Sequence, residues 1–226
     1  MASLKAFLGK LLTPELVISA AETLAPGFHR LTLEGETLRG ASLTPGDKVQ
    51  VVLEGGTRTY TPFAFDPAKG TFDLLVYAHG DTPGAAWGRA AKAGQRIHVF
   101  GPRGSIALDA LAGPVLVTGD ETSFAVARAQ LDRGAAGSPV FEVTNIAGSA
   151  AALAALGLEA DLVARTPGDA HLAELEAKLR ARTARTLVLT GKAQTIQALR
   201  ARLRDRPPFA AQKTKAYWAP GKRGLD

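Results

Sequence analysis

The stretch RTYTPFAF, Arg58 to Phe65, sets a guanidinium, a phenol and a hydroxyl within four residues of a segment that otherwise reads as a strand. Tyr60, Phe63 and Phe65 supply its β-rich apolar character, while Arg58 and Thr61 direct polar groups out of the same run. A planar guanidinium fork suits a doubly charged oxyanion, and an aromatic face suits another flat ring. A ligand that is flat, part apolar and part anionic satisfies all three. Elsewhere the backbone itself offers donors. Gly119 in VTGDET and Gly191 in LTGK stand where apolar runs give way to helical patterns, and a glycine there turns the chain tightly and presents N–H groups to an anion. The turn alone demands a glycine about as often.

Two kinds of scaffold must position these groups. From Glu15 to about Leu108 the apolar runs are short: ELVISAAE, FHRLTLEG, KVQVVLE, TYTPFAF, TFDLLVYAH and RIHVFG, with turns at TPGD, EGG and DPAKG between them. This pattern predicts a six-stranded antiparallel β-barrel. An Ala-rich stretch entered through Pro-Gly, Pro83 to Gly94, reads as a helix inserted between two barrel strands. After LAGP (Leu111 to Pro114) the pattern changes to buried runs, PVLVTG, SPVFEVTN, EADLVART and RTLVLTG, separated by helical stretches at 121–133, 148–156, 169–182 and 193–204. Such alternation predicts an α/β domain with a parallel sheet. The boundary falls near residue 112, giving domains 1–112 and 113–226. In parallel sheets ligands sit beyond the carboxyl ends of the strands, here Thr118–Thr122, Thr144–Gly148, Ala164–Asp169 and Thr190–Gln194.

Composition removes several classes of function. The chain has 226 residues, of which 46% are hydrophobic and 21% charged, a composition able to support a core. Cysteine is absent, so disulfides, thiolate nucleophiles and cysteinyl metal or iron–sulfur sites are excluded. Any redox chemistry therefore needs a bound organic cofactor. The four histidines, His29, His79, His98 and His171, are scattered without metal-ligand spacing, so no metal site is expected. No run is long enough to span a bilayer, and MASLKAFLGKLLTPE is too short and interrupted for a signal peptide, so a cytoplasmic location without membrane insertion is expected. The start reads as an amphipathic turn or helix. Net charge is +6 from 27 basic and 21 acidic residues, which suits an anionic small molecule, nucleic acid or simply a basic surface. No nucleic-acid-binding motif accompanies it.

Four stretches in order, RTYT (58–61), YAHGDTPGAAWGRAAKAGQRIHVFGPRGS (77–105), VTGDET (117–122) and YWAPGKRG (217–224), resemble the ferredoxin-reductase superfamily. Within it they are most similar to the siderophore-interacting proteins, FAD-containing ferric-siderophore reductases. The resemblance implies a flavin-binding barrel followed by a nucleotide-binding α/β domain. It implies FAD and NADH or NADPH as cofactors and a ferric siderophore or other ferric chelate as substrate. A monomer is expected. Tyr60 would lie on the flavin ring, Thr59 and Thr61 beside it, and Arg58 on the pyrophosphate. The segment His79 to Trp87, Thr82 included, would wrap the diphosphate, with the helix-start amides of Gly84, Ala85 and Ala86 facing the anion. Tyr77 and Ala78 just before it are also expected at the cofactor, and Trp87 is equally placed to serve as an interdomain core residue.

In the second domain the resemblance brings Gly119, Asp120, Glu121 and Thr122 to the nicotinamide. Arg165, Gly191 and Lys192 would meet the adenosine phosphates, a pair of cations that tilts the expected donor towards NADPH. Trp218 either covers the flavin or docks a C-terminal tail on the core. The tail's Lys213, Lys215, Lys222 and Arg223 are expected to steer an anionic chelate. No side chain is assigned an acid or base role. Two departures from the family stand out: Phe63 occupies a place where a second arginine is usual, and Lys192 follows Gly191 where the family often has Glu. The same pattern also fits a flavin oxidoreductase with another acceptor, or a binding module without turnover.

Overall fold

The computed structural model describes residues 14–134, 137–205 and 207–222. The expected amphipathic start at residues 1–13 and Arg223 lie outside them. The chain divides into two compact units, Met1–Ser105 and Ile106–Asp226, seven residues ahead of the boundary read at LAGP.

In the first unit β1 (Glu15–Ala25), β2 (Phe28–Glu34), β3 (Lys48–Leu53), β4 (Gly56–Tyr60), β5 (Phe63–Asp66), β6 (Thr71–Tyr77) and β7 (Arg96–Arg103) form one antiparallel sheet. Its order is β4-β3-β7-β1-β2-β6-β5. The sheet is rolled. Val49 and Val51 of β3, near one edge, share a core with Phe72, Leu74 and Val76 of β6, near the other. The predicted run TYTPFAF is two strands rather than one, which raises the count from six to seven. Pro62 has no N–H to give a ladder, so pairing stops at Tyr60 and resumes at Phe63 on a different neighbour. Phe63, where the resemblance leads one to look for arginine, is buried in this unit, so an apolar side chain belongs there.

Helix α1 (Pro83–Ala90) lies between β6 and β7 in sequence, as read, and ends four residues before Gly94. Thr82 caps it, its hydroxyl accepting from the Ala85 amide at 3.2 Å, and Pro83 takes the first helical position, where a missing N–H costs nothing.

In the second unit β8 (Val115–Gly119), β9 (Val140–Val143), β10 (Asp161–Ala164), β11 (Thr186–Lys192) and β12 (Ala211–Trp218) form a parallel sheet in the order β10-β9-β8-β11-β12. The connecting helices are α2 (Phe124–Asp132), α3 (Ile146–Ala155), α4 (Leu172–Arg180) and α5 (Ala193–Arg202). The chain runs outward from β8 to β10 and then returns to the other side of β8. Between β8 and β11 the order therefore reverses, the place where such sheets open a crevice. The basic tail was read from Lys213 onward; its residues up to Trp218 belong to the fifth strand, paired with β11 along its length. Its Lys-rich outer residues hid the strand because an edge needs burial on few positions.

Candidate functional site

In the first unit the predicted residues converge. Arg58, Thr59 and Tyr60 end β4, and Thr61 follows them. Helix α1 begins against this strand: a methyl placed on Gly84 would lie 3.3 Å from the Tyr60 hydroxyl and 3.5 Å from Cγ of Arg58. A side chain there would crowd the Tyr60 hydroxyl, and glycine leaves the approach open. Tyr60 is further braced by Trp87, ring centroids 5.7 Å apart at 48°, and Trp87 packs on this unit's own core. Burial holds the Tyr60 hydroxyl protonated far above the ordinary range, with Arg58 pulling weakly the other way. It can donate a hydrogen bond at any physiological pH.

Thr82 takes more of the helix start than the sequence suggested. Its hydroxyl binds the Ala85 amide and its carbonyl the Ala86 amide at 2.9 Å, so of the three amides expected to face an anion the cap leaves that of Gly84. Arg58 donates to the Thr57 carbonyl at 2.7 Å and forms no ion pair with a carboxylate among the described residues. Tyr77 is stacked between Phe28 and His79, at 4.8 and 5.0 Å, with His79 itself exposed. Sequence reasoning missed Arg89, in the last turn of α1. Its guanidinium donates to the carbonyls of Ala78 (3.5 Å) and Gly80 (3.3 Å) and so pins the loop that carries His79.

In the second unit Gly119, Asp120, Glu121, Thr122, Arg165, Gly191, Lys192 and Trp218 all lie at the carboxyl ends of the strands, but they bind one another. The Asp120 carboxylate accepts from the Thr122 amide (2.9 Å) and hydroxyl (2.5 Å), the Lys192 amide (3.0 Å) and the Trp218 indole (2.7 Å). Gly191, at φ +94°, lets that carboxylate lie against the backbone; a side chain there would meet it at 2.6 Å. The anion presented to this turn is thus the protein's own. Burial nonetheless pushes the Asp120 carboxyl above its usual range, against the hydrogen bonds from Thr122 and Trp218.

A second buried cluster adjoins it. Glu121 accepts from the Thr144 amide (2.6 Å) and from Arg165 (3.2 Å). Arg165 also reaches the Thr144 hydroxyl at 2.9 Å and lies 3.7 Å from Glu142. Glu142, fully buried in β9, accepts from Thr195 at 2.6 Å and meets His171 Nε2 at 2.6 Å. The Thr166 amide donates to His171 Nδ1 at 3.2 Å, so Nε2 carries the proton and donates to Glu142. Lys192 pairs with Asp169 at 3.5 Å. Glu142, Thr195 and His171 were not among the predicted site residues. The signal for Glu142 was present, a carboxylate inside the apolar run VFEV, where an acid is kept only with partners. Lys213 and Lys215 stand two apart on β12, and Lys222 is exposed beyond it.

Residues 53–106 match the model of one protein family, described as the siderophore-interacting FAD-binding domain. That segment matches a siderophore-interacting FAD-binding domain. It spans all the candidate residues of the first unit, from Arg58 to Trp87, and the flat-ring and oxyanion groups gathered there fit such a cofactor. No curated protein sequence matches the chain. Solved structures do. A siderophore utilization protein from T. fusca superposes with a TM-score of 0.73 at 21% identity, covering 95% of each chain. The siderophore-interacting protein SipS from Aeromonas hydrophila gives 0.69 at 18%, covering 93% of this chain and 92% of its own. Phthalate dioxygenase reductase, described as transferring electrons from pyridine nucleotides to a [2Fe-2S] centre, gives 0.71 at 15%, covering 93% and 70%. The chain shares the two-unit fold of these solved structures, and residues 53–106 within it match an FAD-binding domain.

Proposed function

We propose that this protein uses FAD to pass electrons from a nicotinamide dinucleotide to ferric siderophores or other ferric chelates, releasing iron(II). The observation that carries the reading is the convergence of Arg58, Tyr60 and the glycine-lined start of α1 inside the segment that matches the siderophore-interacting FAD-binding domain. Bound flavin would supply the conversion of a two-electron donor to a one-electron acceptor. The chain's residues would hold it. Arg58 and the Gly84 amide would take the pyrophosphate, Tyr60 the ring, and Thr59 and Thr61 the ring edge. Arg89 would fix the Ala78–Gly80 loop along the diphosphate. No described helix is long and apolar enough to cross a membrane.

Lys213, Lys215 and Lys222 present positive charge at and after an edge strand, and steering of anionic chelates is the role we give them. The test has two readings. The purified protein should show the absorption bands of oxidised flavin. With a nicotinamide donor it should reduce ferric chelates, followed through a coloured ferrous complex, at a second-order rate that falls as salt rises, since such steering is screened over roughly 8 Å at physiological ionic strength. A colourless protein that takes up no FAD would remove the whole reading. A flavoprotein active with quinones but inert to every ferric chelate would remove the acceptor only.

A further inference from the structure

The tilt towards NADPH rested on Arg165 and Lys192 as cations open to a 2′-phosphate. Both have resident counter-ions. Arg165 meets two carboxylates, Glu121 at 3.2 Å and Glu142 at 3.7 Å, and both of these are buried. Lys192 meets Asp169. Resting on the proposed use of a nicotinamide donor, we propose that the carboxyl-end site of the parallel sheet takes NADH and rejects NADPH, because its buried acids already hold the guanidinium a 2′-phosphate would need.

In sheets of this kind the adenosine ribose is read at the end of the second strand of the unit, where an acid favours the 2′-hydroxyl and an arginine the 2′-phosphate. Here that strand is β9, which carries Glu142 and ends beside Thr144 and Arg165. For a 2′-phosphate to take Arg165, Glu121 and Glu142 would have to release it. They would then remain as buried carboxylates with a partner lost, among the most costly arrangements a protein interior offers. The incoming phosphate would also face like charge. Although burial opposes the charge on Arg165, the neighbouring Glu121, Glu142 and Asp120 carboxylates outweigh it and hold the guanidinium protonated. An uncharged 2′-hydroxyl meets none of these penalties.

Calorimetric titration of the FAD-loaded full chain with 5′-AMP and with 2′,5′-ADP reads the discrimination without turnover. We expect 5′-AMP to bind at least about tenfold more tightly, a difference of about 1.4 kcal/mol. Asp169→Asn keeps a residue that tolerates the left-handed backbone at that position (φ 58°) while releasing Lys192. It should raise 2′,5′-ADP affinity about threefold and leave 5′-AMP unchanged. Glu121→Gln retains an acceptor for the Thr144 amide and removes one charge from Arg165, and should narrow the ratio further. A purely structural role for these acids would move both probes together and leave the ratio fixed. Equal or tighter binding of 2′,5′-ADP by the unaltered protein would overturn the NADH assignment while sparing the nicotinamide reading. Failure of NAD⁺, NADP⁺ and both probes to bind would overturn both.

Discussion

Arg58 in the antiparallel unit and Arg165 in the parallel unit are both arginines at strand ends, and their surroundings have opposite character. Arg58 touches a backbone carbonyl and lies beside a half-buried phenol and a helix start kept bare by Gly84. Arg165 is ringed by Glu121, Glu142 and the Thr144 hydroxyl. The second arginine was given its anion by the fold; the first has no carboxylate partner among the described residues, which supports the ligand role we propose for it. An anion-binding residue type therefore has two meanings, and the counter-ion distinguishes them. Where the chain supplies it, the pair is architecture. Where it does not, the charge remains for a ligand.

The comparison breaks first, and most visibly, at the open site. Arg58→Ala combined with Tyr60→Ala removes the fork and the aromatic face together, and should lower FAD affinity by about 100-fold or more, read by titration of flavin fluorescence. Arg58→Ala alone should leave the thermal midpoint of the flavin-free protein nearly unchanged, because no resident carboxylate loses a partner. In the parallel unit the expectation reverses. Glu142→Ala takes a buried partner from His171, Thr195 and Arg165 and should cost about 3 kcal/mol, a fall of roughly 10 °C in the midpoint of that unit by calorimetry. A larger fall from Arg58→Ala than from Glu142→Ala would contradict the division drawn between the two units.

The smallest effect concerns Asp120. Its folded-state pKa is raised chiefly by burial, so the folded protein binds a proton there more readily than the unfolded chain does. The resulting stabilisation is complete below the ordinary aspartate value of 3.8 and is lost as pH rises through the higher folded value. Asp120→Asn keeps an acceptor for the Thr122 amide and the Trp218 indole but cannot titrate. Chemical denaturation across that acidic window should show the unaltered protein losing stability relative to the variant as pH increases. Parallel pH profiles for the two proteins would show that Asp120 does not carry this dependence.

Much of this was legible in the chain. Strand alternation up to Leu108 and buried runs after Pro114 fixed the two types of sheet, because period-two patterning and continuous apolar runs reflect one-sided and two-sided burial. Arg58 and Tyr60 were readable together because their chemistry lies within three residues, whereas Gly84, far along the chain, joined them only through the resemblance. The break at Pro62 was written in a residue without an N–H, yet the flanking aromatics outweighed it. What stayed hidden was pairing over distance. Nothing local says that Trp218 reaches Asp120, or that Glu142 gathers His171 and Thr195, for these contacts exist only once the topology returns the chain to β8. The same blindness made Arg165 and Lys192 look available.

The order of the seven-stranded sheet has one more consequence. Its two edge strands, β4 and β5, are consecutive in sequence, so the covalent link Thr61–Pro62 joins the two edges of the roll, and among the described strands these edges do not pair with each other in a ladder. This seam is also where Arg58, Tyr60 and Thr61 stand. Local opening begins where backbone pairing is thinnest, and a ligand that binds only the shut form opposes it by mass action. Amide exchange in β4 and β5 should therefore be the fastest among the strands of this unit in flavin-free protein and slow most when FAD is added. The cofactor would act there as the clasp of the roll, so that losing the flavin and loosening the fold become a single event.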